Sequence, residues 1–318
     1  MRRLRRMTLA AAACLGVVAA ALPAPAASAD PEPIAGYNRM GPAPEGANDW
    51  NCKPSAAHPR PVVLVHGTGS SMQHIFKTLS PALKNEGYCV FALNYGGIPT
   101  WWDPNLIVWG VSDIRTSARE LSGYVDAVLA RTGASQVDLI GHSQGGMLSR
   151  QYLKFEGGAN AADPARNKVA NVVSLAPTNH GTTFNGLQQM YLVLASLGFH
   201  NDQISQFVFG IAGRQQLIGS RLIADLNAGG ETMPGVEYTI IATRNDQVAT
   251  PPEYSFLSTA RGNVDNVWVQ DGCENLQVTH DGLVGHPRSQ WLVFGALDPG
   301  YKAKHAAAPC DPAAPQPR

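Results

Sequence analysis

Short apolar segments alternate with segments of helical periodicity along most of this chain. The apolar segments are nearly continuous, which is typical of parallel strands that are covered on both faces. Between the second and third of them, apolar residues from Ile114 to Val128 recur at spacings of three and four, and Gly133 follows as a helix stop. This alternation predicts an α/β fold in which helices flank a mostly parallel sheet of about six strands. The expected strands are Pro61–His66, Tyr88–Asn94, Gln136–Gly141, Val169–Ala176, Val236–Thr243 and Val264–Gln270.

The first residues have the pattern of an export signal. Four arginines precede an apolar run from Met7 to Leu22, and Ala27-Ser28-Ala29 is typical of a cleavage site. The run is shorter than the ~20 residues that a membrane span requires. We therefore expect cleavage after Ala29 and a secreted protein with no stable membrane span, and a retained anchor is the alternative. Residues 1–29 are interpreted as a signal peptide and residues 30–318 as one catalytic domain.

The composition excludes two classes of protein. The chain has 318 residues, of which 44% are hydrophobic and 15% are charged, so it is too apolar for a disordered protein. Its 24 basic residues balance its 24 acidic residues, and removal of residues 1–29 would make the remainder acidic by four charges. Because nucleic-acid binding requires an excess of basic residues, we expect no nucleic-acid partner. Separately, we expect the protein to be a monomer.

Four cysteines follow the expected cleavage site. An even number in an exported chain predicts two disulfides, although three pairings are possible. Cys52 and Cys89 lie near the starts of two strands that we expect to be neighbours, which favours the pair Cys52–Cys89. The remaining pair, Cys273–Cys310, would then attach the C-terminal tail (300–318) to the last strand. The chain has no Cys-x-x-Cys or Cys/His cluster, so we expect no metal and no other cofactor.

Two segments depart from the alternation of strands and helices. Residues 30–60 are rich in Pro, Ala and Gly and are expected to form an arm over the surface. Residues 182–230 are apolar, carry few charges and are longer than an ordinary connection between two strands. They predict a helical insertion that forms a lid or a pocket wall near the active site. A plain pair of packing helices is an equal alternative.

The segment Gly141-His142-Ser143-Gln144-Gly145-Gly146 joins an expected strand to an expected helix. In this context the pattern G-x-S-x-G places a serine on a sharp turn at the C-terminal edge of a sheet. Glycine is needed at 141 and 145 because a Cβ atom there would collide with the neighbouring strand and helix. Ser143 is therefore the predicted nucleophile.

A serine nucleophile requires an acid and a base, which follow it in this order in such folds. Asp246 comes directly after the expected strand Val236–Thr243, so its carboxylate faces the same edge as Ser143. It would hold the tautomer of the base and stabilise the imidazolium. The other aspartates considered lie before or within expected elements: Asp225, Asp265 and Asp271.

Two histidines follow the last expected strand. His280 lies on a loop before the final helix, whereas His286 precedes Pro287 at the start of that helix and could be a polar cap. His280 is therefore the favoured base and His286 the alternative.

An oxyanion hole requires two backbone N–H groups. One is expected from Gln144, which follows the nucleophile. The other is expected from Thr68, in the loop His66-Gly67-Thr68-Gly69 after the first strand.

Together these motifs resemble the actinobacterial class 2 lipases, secreted α/β-hydrolases similar to the small Bacillus lipase A. The resemblance covers residues 50–300, and its closing segment aligns the histidine of the family with His280. Glu274 departs from the family pattern, which usually has proline after the cysteine. The segments that carry the resemblance are Val65–Thr68, Tyr88–Gly96, Gly141–Gly146, Ile241–Val248, Asn266–Cys273 and Ala296–Pro299.

The resemblance implies a serine hydrolase that cleaves carboxylic esters of lipids or other apolar acyl substrates, at a lipid–water interface or in solution. The same triad in a polyester hydrolase is one alternative, with Trp101, Trp102 and Trp109 as aromatic contacts. An acyltransferase and a non-catalytic surface-binding protein are the others.

Overall fold

The computed structural model describes residues 41–100, 102–189, 210–305 and residue 310. The expected signal peptide (1–29), the first part of the expected arm (30–40), Trp101, residues 190–209 of the expected insertion and most of the expected tail lie outside the described residues. The division of the chain into a signal peptide and one catalytic domain stays a prediction.

Within the described residues, six parallel strands form the central sheet, and two very short antiparallel strands form a separate hairpin. The strands are β1 (Val62–Val65), β2 (Val90–Leu93), β3 (Ile98–Pro99), β4 (Ile107–Val108), β5 (Val137–His142), β6 (Val169–Leu175), β7 (Glu237–Ala242) and β8 (Val264–Trp268). The order in the sheet is β2-β1-β5-β6-β7-β8, with β3 paired to β4 in the hairpin. This sheet confirms the predicted fold class, and the six predicted strands match the observed ones to within about two residues at each end.

Helices cover both faces of the sheet. The α-helices whose bounds lie within the described residues are α1 (Met72–Ile75), α2 (Leu79–Asn85), α3 (Ile114–Thr132), α4 (Gln144–Phe155), α5 (Arg221–Asn227), α6 (Gly282–Gly285), α7 (Pro287–Leu297) and α8 (Tyr301–Lys304). Asp113 caps the start of α3, and Gly133 ends it in the left-handed conformation with φ 78°. That conformation favours glycine, which explains why the predicted stop lies there.

Two apolar layers lie on opposite faces of the sheet. In β1, Val63 and Val65 pack in one layer with α3, α4 and α5, whereas Val62 and Leu64 pack in the other with α1, α2 and α7. Successive strand residues point to opposite faces, so a strand covered on both sides is apolar throughout. The expectation of full coverage is wrong for β8, whose residues are exposed or half-buried. The reason is that β8 lies at one edge of the sheet, where among the described residues it pairs with β7 alone.

The described part of the arm lies along the other edge of the sheet. Asn48 donates its backbone N–H to Val90 O at 2.9 Å, and its side chain exchanges hydrogen bonds with Ala92 at 2.7 and 2.8 Å. These contacts satisfy backbone groups that an edge strand would otherwise expose.

Two disulfides join the pairs that the sequence favours. They are Cys52–Cys89, which ties the arm to β2, and Cys273–Cys310, which ties the tail to the turn after β8. Within the described residues, no helix has the length and apolar character needed to cross a membrane.

The described flanks of the expected insertion are partly helical, at 187–189, at 210–215 and in α5. Lys154 of α4 donates to the carbonyls of Leu226 and Gly230 at the end of α5, at 2.8 and 3.2 Å. The C-terminal base of this segment is thus attached to the helix that follows Ser143. The choice between a lid and a pair of packing helices stays a prediction.

Candidate active site

Ser143 lies on the turn between β5 and α4 in a strained conformation. Its φ of 55° and ψ of −124° are unusual for a residue other than glycine. A Cβ atom at Gly141 would lie 2.5 Å from Gly145 C, and one at Gly145 would lie 2.0 Å from Val65 O. The close approach of β1, β5 and α4 therefore requires glycine at both positions, for the reason that the sequence suggests.

Asp246 and His280 lie together after the C-terminal ends of β7 and β8. Nδ1 of His280 donates to Oδ2 of Asp246 at 2.7 Å. Because a carboxylate of this kind accepts the bond, Nδ1 carries the proton and Nε2 presents its lone pair. Both residues and Ser143 are buried, and all three follow parallel strands, so they share one edge of the sheet.

The second late histidine has another position. His286 is the N-cap of α7, and its Nδ1 accepts from the backbone N–H of Arg288 at 3.2 Å. Burial lowers the pKa of His286, and the nearby Arg288 lowers it further. The structure thus brings His280 to Asp246 and uses His286 as a cap.

His142 contacts the candidate base from β5. Its ring centroid lies 4.7 Å from that of His280, and its Nε2 lies 3.2 Å from the His280 carbonyl oxygen, to which it can only donate. Burial, together with the nearby His280, holds the pKa of His142 well below its usual range. His142 is therefore a neutral neighbour that fixes the backbone of His280. Its position before the nucleophile is the only signal that the sequence offers for this role.

One group among the described residues has the spacing for a metal ion. His142, His280 and Asp281 each offer a ligand atom, and these atoms lie within 4.8 Å of one another. However, Nδ1 of His280 is bonded to Asp246, and Nε2 of His142 is bonded to the His280 carbonyl. The group therefore fits the positioning of an imidazole better than the binding of a metal.

The loop after β1 passes directly beside Ser143. A Cβ atom at Gly67 would lie 2.9 Å from the Cβ of Ser143. Thr68 follows Gly67, and its Oγ1 accepts a hydrogen bond of 2.8 Å from Nε2 of Gln144. The N–H of Gln144 is the first of α4, and the first N–H groups of a helix have no intrahelical acceptor. Both predicted oxyanion donors thus lie next to Ser143.

His66 fixes the direction of the Thr68 N–H. Its Nδ1 donates to Gly67 O at 2.8 Å, and its Nε2 accepts from the N–H of Tyr95 at 3.4 Å. The Gly67 carbonyl and the Thr68 N–H are opposite ends of one peptide, so a bond to one end aims the other. Burial lowers the pKa of His66 to about 4, which keeps the ring neutral.

Two of the three tryptophans named for the polyester alternative, Trp102 and Trp109, lie within the described residues. Trp102 is 60% exposed in the β3–β4 hairpin, and Trp101 lies outside the described residues. The carbonyl of Trp109 accepts from the N–H of Gly69 at 2.9 Å, which joins the hairpin to the oxyanion loop.

Comparisons with known proteins identify the family that this chain resembles. The family model for lipase (class 2) matches residues 59–283, a range that contains Ser143, Asp246 and His280 and ends before His286. A triacylglycerol lipase of Pseudarthrobacter phenanthrenivorans is 31% identical over 158 residues, 48% of this chain and 44% of that protein. One of Burkholderia plantarii is also 31% identical over 158 residues, 48% of this chain and 39% of that protein. The match thus spans less than half the length of these curated relatives.

A solved structure supports the fold. Lipase B of Aspergillus fumigatus superposes with a TM-score of 0.57 at 19% identity, over 86% of this chain and 64% of that chain. At this identity the likeness shows a shared α/β-hydrolase fold. Because the family model covers most of the chain, including every predicted catalytic and oxyanion residue, this chain belongs to the class 2 lipase family.

Proposed function

We propose that the protein is a serine hydrolase that cleaves carboxylic esters of lipids through Ser143, His280 and Asp246. The observation that carries the proposal is the 2.7 Å bond between His280 and Asp246 at the sheet edge where the strained Ser143 lies. The matched relatives, both triacylglycerol lipases, support the same class of substrate.

The reaction follows from the hydrogen-bond roles of these groups. Oγ of Ser143 attacks the ester carbonyl while Nε2 of His280 takes the hydroxyl proton. The backbone N–H groups of Thr68 and Gln144 stabilise the negative oxygen of the tetrahedral intermediate. The intermediate collapses, the C–O bond breaks, and His280 returns the proton to the leaving alcohol. A water molecule then repeats these steps on the acyl-enzyme and releases the carboxylic acid, so no cofactor is required.

The electrostatic surroundings favour a base at His280. Its ring becomes an imidazolium during each half of the reaction, and Asp246 stabilises that charge. The neighbouring ring of His142 stays neutral because it is buried. A charged neighbour at 4.7 Å would oppose the proton transfer, whereas a neutral ring does not.

Apolar side chains on nearby loops support an apolar acyl group. Leu187, Val248 and Tyr254 are exposed, and they lie on segments that follow β6 and β7 at the catalytic edge. Trp102 and Leu106 are exposed on the hairpin that is joined to the oxyanion loop. The exposed Trp102 also favours one second candidate, hydrolysis of a solid polyester. Secretion is part of the proposal, and the two disulfides support it.

The test is hydrolysis of p-nitrophenyl esters of increasing acyl length by the wild type and by Ser143→Ala. We expect turnover by the wild type, and loss of turnover in the variant down to the ~10³–10⁴-fold over water that binding and the oxyanion hole supply. Ser258→Ala, which changes an exposed serine, is the control and should be fully active. A fluorophosphonate probe should label Ser143 alone. Near-wild-type turnover by Ser143→Ala would overturn the proposal, and a polymer film assay distinguishes the polyester alternative.

A further inference from the structure

Two glutamine side chains from distant parts of the chain hold the hydroxyl of Thr68. Nε2 of Gln144 and Nε2 of Gln216 each donate to Oγ1 of Thr68 at 2.8 Å. A hydroxyl oxygen has two lone pairs, so both are occupied. The side chain of this oxyanion-loop residue is therefore fixed from two sides.

The amide orientation of each glutamine is set by a second partner. Nε2 of Gln144 also donates to Gly110 O at 2.9 Å, and Nε2 of Gln216 donates to Ala212 O at 3.1 Å. A carbonyl can only accept, so the nitrogen end of each amide must face it. Oε1 of Gln216 accepts from Oγ1 of Thr178 at 3.0 Å, which fixes its other end. Both glutamines are fully buried, so water does not replace these bonds.

Gln216 belongs to the described C-terminal flank of the insertion. It lies 148 residues from Thr68 along the chain and directly follows the helical residues 210–215. Its backbone carbonyl accepts from the N–H of Thr182 at 2.8 Å, on the N-terminal flank of the same insertion. One residue therefore joins both flanks of the insertion to the oxyanion loop.

We propose that Gln216 is a positioning residue, which holds Thr68 so that the Thr68 N–H stays aimed at the developing oxyanion. The inference rests on the proposed function, and Gln216 acts through Thr68 without touching the substrate. Oxyanion stabilisation depends on donors that are already in place before negative charge develops. Without Gln216, the Thr68 side chain is held on the Gln144 side alone, and the peptide that His66 orients loses one of its supports, so the alignment of the Thr68 N–H is weakened.

The neighbouring glutamine provides a matched control. Oε1 of Gln215 accepts from the N–H of Ile114 at 2.8 Å, and its Nε2 donates to Oδ2 of Asp113 at 2.5 Å. Gln215 thus tethers the same segment to the start of α3, whereas its bonds do not involve Thr68. Gln215→Met removes a tether of the insertion, and Gln216→Met removes a tether together with the support of Thr68.

The experiment compares kcat and KM on a soluble short-chain ester for five proteins. They are the wild type, Gln216→Met, Gln215→Met, Thr68→Val and the double variant Gln216→Met with Thr68→Val. Turnover is expressed per active site titrated with a p-nitrophenyl phosphonate, so unfolded protein does not count. Gln216→Met should lower kcat about tenfold with little change in KM, less than the ~10²–10³-fold cost of losing an oxyanion donor.

The other variants separate positioning from folding. Gln215→Met should keep the wild-type kcat, and in the Thr68→Val background Gln216→Met should cause no further loss. If Gln216→Met does not fold, Thr178→Val, which releases the oxygen end of the same amide, should show a smaller loss in kcat.

Three results would overturn this inference while leaving the proposed function intact. The first is an active wild type beside a Gln216→Met variant with unchanged kcat, and the second is an equal loss of kcat in Gln216→Met and Gln215→Met. The third is a loss of kcat in the double variant that equals the sum of the losses, in free energy, caused by Gln216→Met and Thr68→Val alone. A wild type without esterase activity would overturn the function and the inference together.

Discussion

The carboxylate of Asp246 holds His280 in one tautomer, through a bond of 2.7 Å from Nδ1 of the ring to Oδ2. The other carboxylate oxygen, Oδ1, accepts the backbone N–H groups of Val248 and Ala249, each at 2.8 Å. The carboxylate therefore cannot rotate without breaking two further bonds. The backbone after β7 thus determines the plane of the imidazole and which nitrogen is free to act as a base.

This arrangement predicts a large effect of Asp246→Asn. The amide can direct its NH₂ group at the ring, which favours the tautomer with a proton on Nε2, and that tautomer cannot accept the proton of Ser143. We expect kcat to fall by up to about 10⁴-fold with KM little changed. The measurement is steady-state hydrolysis of a soluble ester. Asp271→Asn, which alters an exposed aspartate paired with Arg244, is the control and should be near wild type. Similar losses in both variants would contradict the assignment of Asp246.

The two late histidines give a second prediction. His280→Ala should lower activity about as much as Ser143→Ala, because members of a triad act as a unit. His286→Ala should keep its activity and lose about 1 kcal/mol of unfolding free energy, because it removes the N-cap of α7. Urea denaturation and ester hydrolysis on the same samples check both expectations. An active His280→Ala beside an inactive His286→Ala would reverse the assignment.

Much of the fold could be predicted because its signals are local. Continuous apolar runs predicted β1, β5 and β6 within a residue or two, and a regular apolar spacing predicted α3. The exposure of β8 could not be predicted, because a strand sequence does not state how many neighbours the strand will have. Val264–Trp268 contains Asp265 and Asn266 between its apolar residues, and it lies at the edge of the sheet with every residue exposed or half-buried.

The candidate site, like the fold, could be predicted from the sequence only in part. Ser143, Asp246 and His280 could be proposed because each follows a strand, and the ends of parallel strands meet at one edge. The supporting contacts of Gln216 could not be proposed, because nothing local relates it to Thr68 across 148 residues. In the sequence, His66 stands out only as part of the loop motif His66-Gly67-Thr68-Gly69. Its role depends on Tyr95, which stacks on its ring at 4.3 Å after the next strand of the sheet.

A half-buried pair beside the loop after β6 predicts a pH-dependent stability. His180 donates from Nε2 to Oε1 of Glu231 at 2.8 Å and from Nδ1 to Tyr254 O at 3.1 Å. The bond to Glu231 raises the pKa of His180 above 6.5, and the bond from His180 lowers the pKa of Glu231 from 4.5 to about 2. The contribution of Glu231 to the free energy of unfolding is lost as the pH falls below 4.5 towards about 2. The contribution of His180 to the free energy of unfolding is lost as the pH rises above 6.5 and passes the pKa that His180 has in the folded protein.

The pair should therefore stabilise the fold most between about pH 4.5 and 6.5. The measurement is the difference in Tm between the wild type and His180→Gln across this range and on both sides of it. That difference should be largest inside the window and should shrink in acid and in base. The control is His74→Gln, which changes an exposed histidine and should give a flat difference. A difference for His180→Gln that grows steadily with pH would contradict the assigned charges.

The two disulfides should stabilise the folded protein by similar amounts but should differ in how quickly a reductant opens them. Each bridge joins cysteines 37 residues apart, so a chain-entropy account assigns about 4 kcal/mol to each. Their surroundings differ, because Cys89 is buried in the core whereas Cys310 is exposed. A mild thiol reductant without denaturant should therefore open Cys273–Cys310 first, since a thiolate must reach a sulfur atom to attack it. Timed alkylation followed by peptide mapping measures the order.

The paired serine variants test the energetic half of this prediction. Replacement of Cys52 and Cys89 together, and of Cys273 and Cys310 together, should lower the unfolding free energy by similar amounts of about 2–4 kcal/mol. A loss of unfolding free energy in the Cys52/Cys89 variant alone would show that the Cys273–Cys310 bridge does not stabilise the fold. Reduction of Cys52–Cys89 before Cys273–Cys310 in the native protein would contradict the burial of Cys89 between the arm and β2.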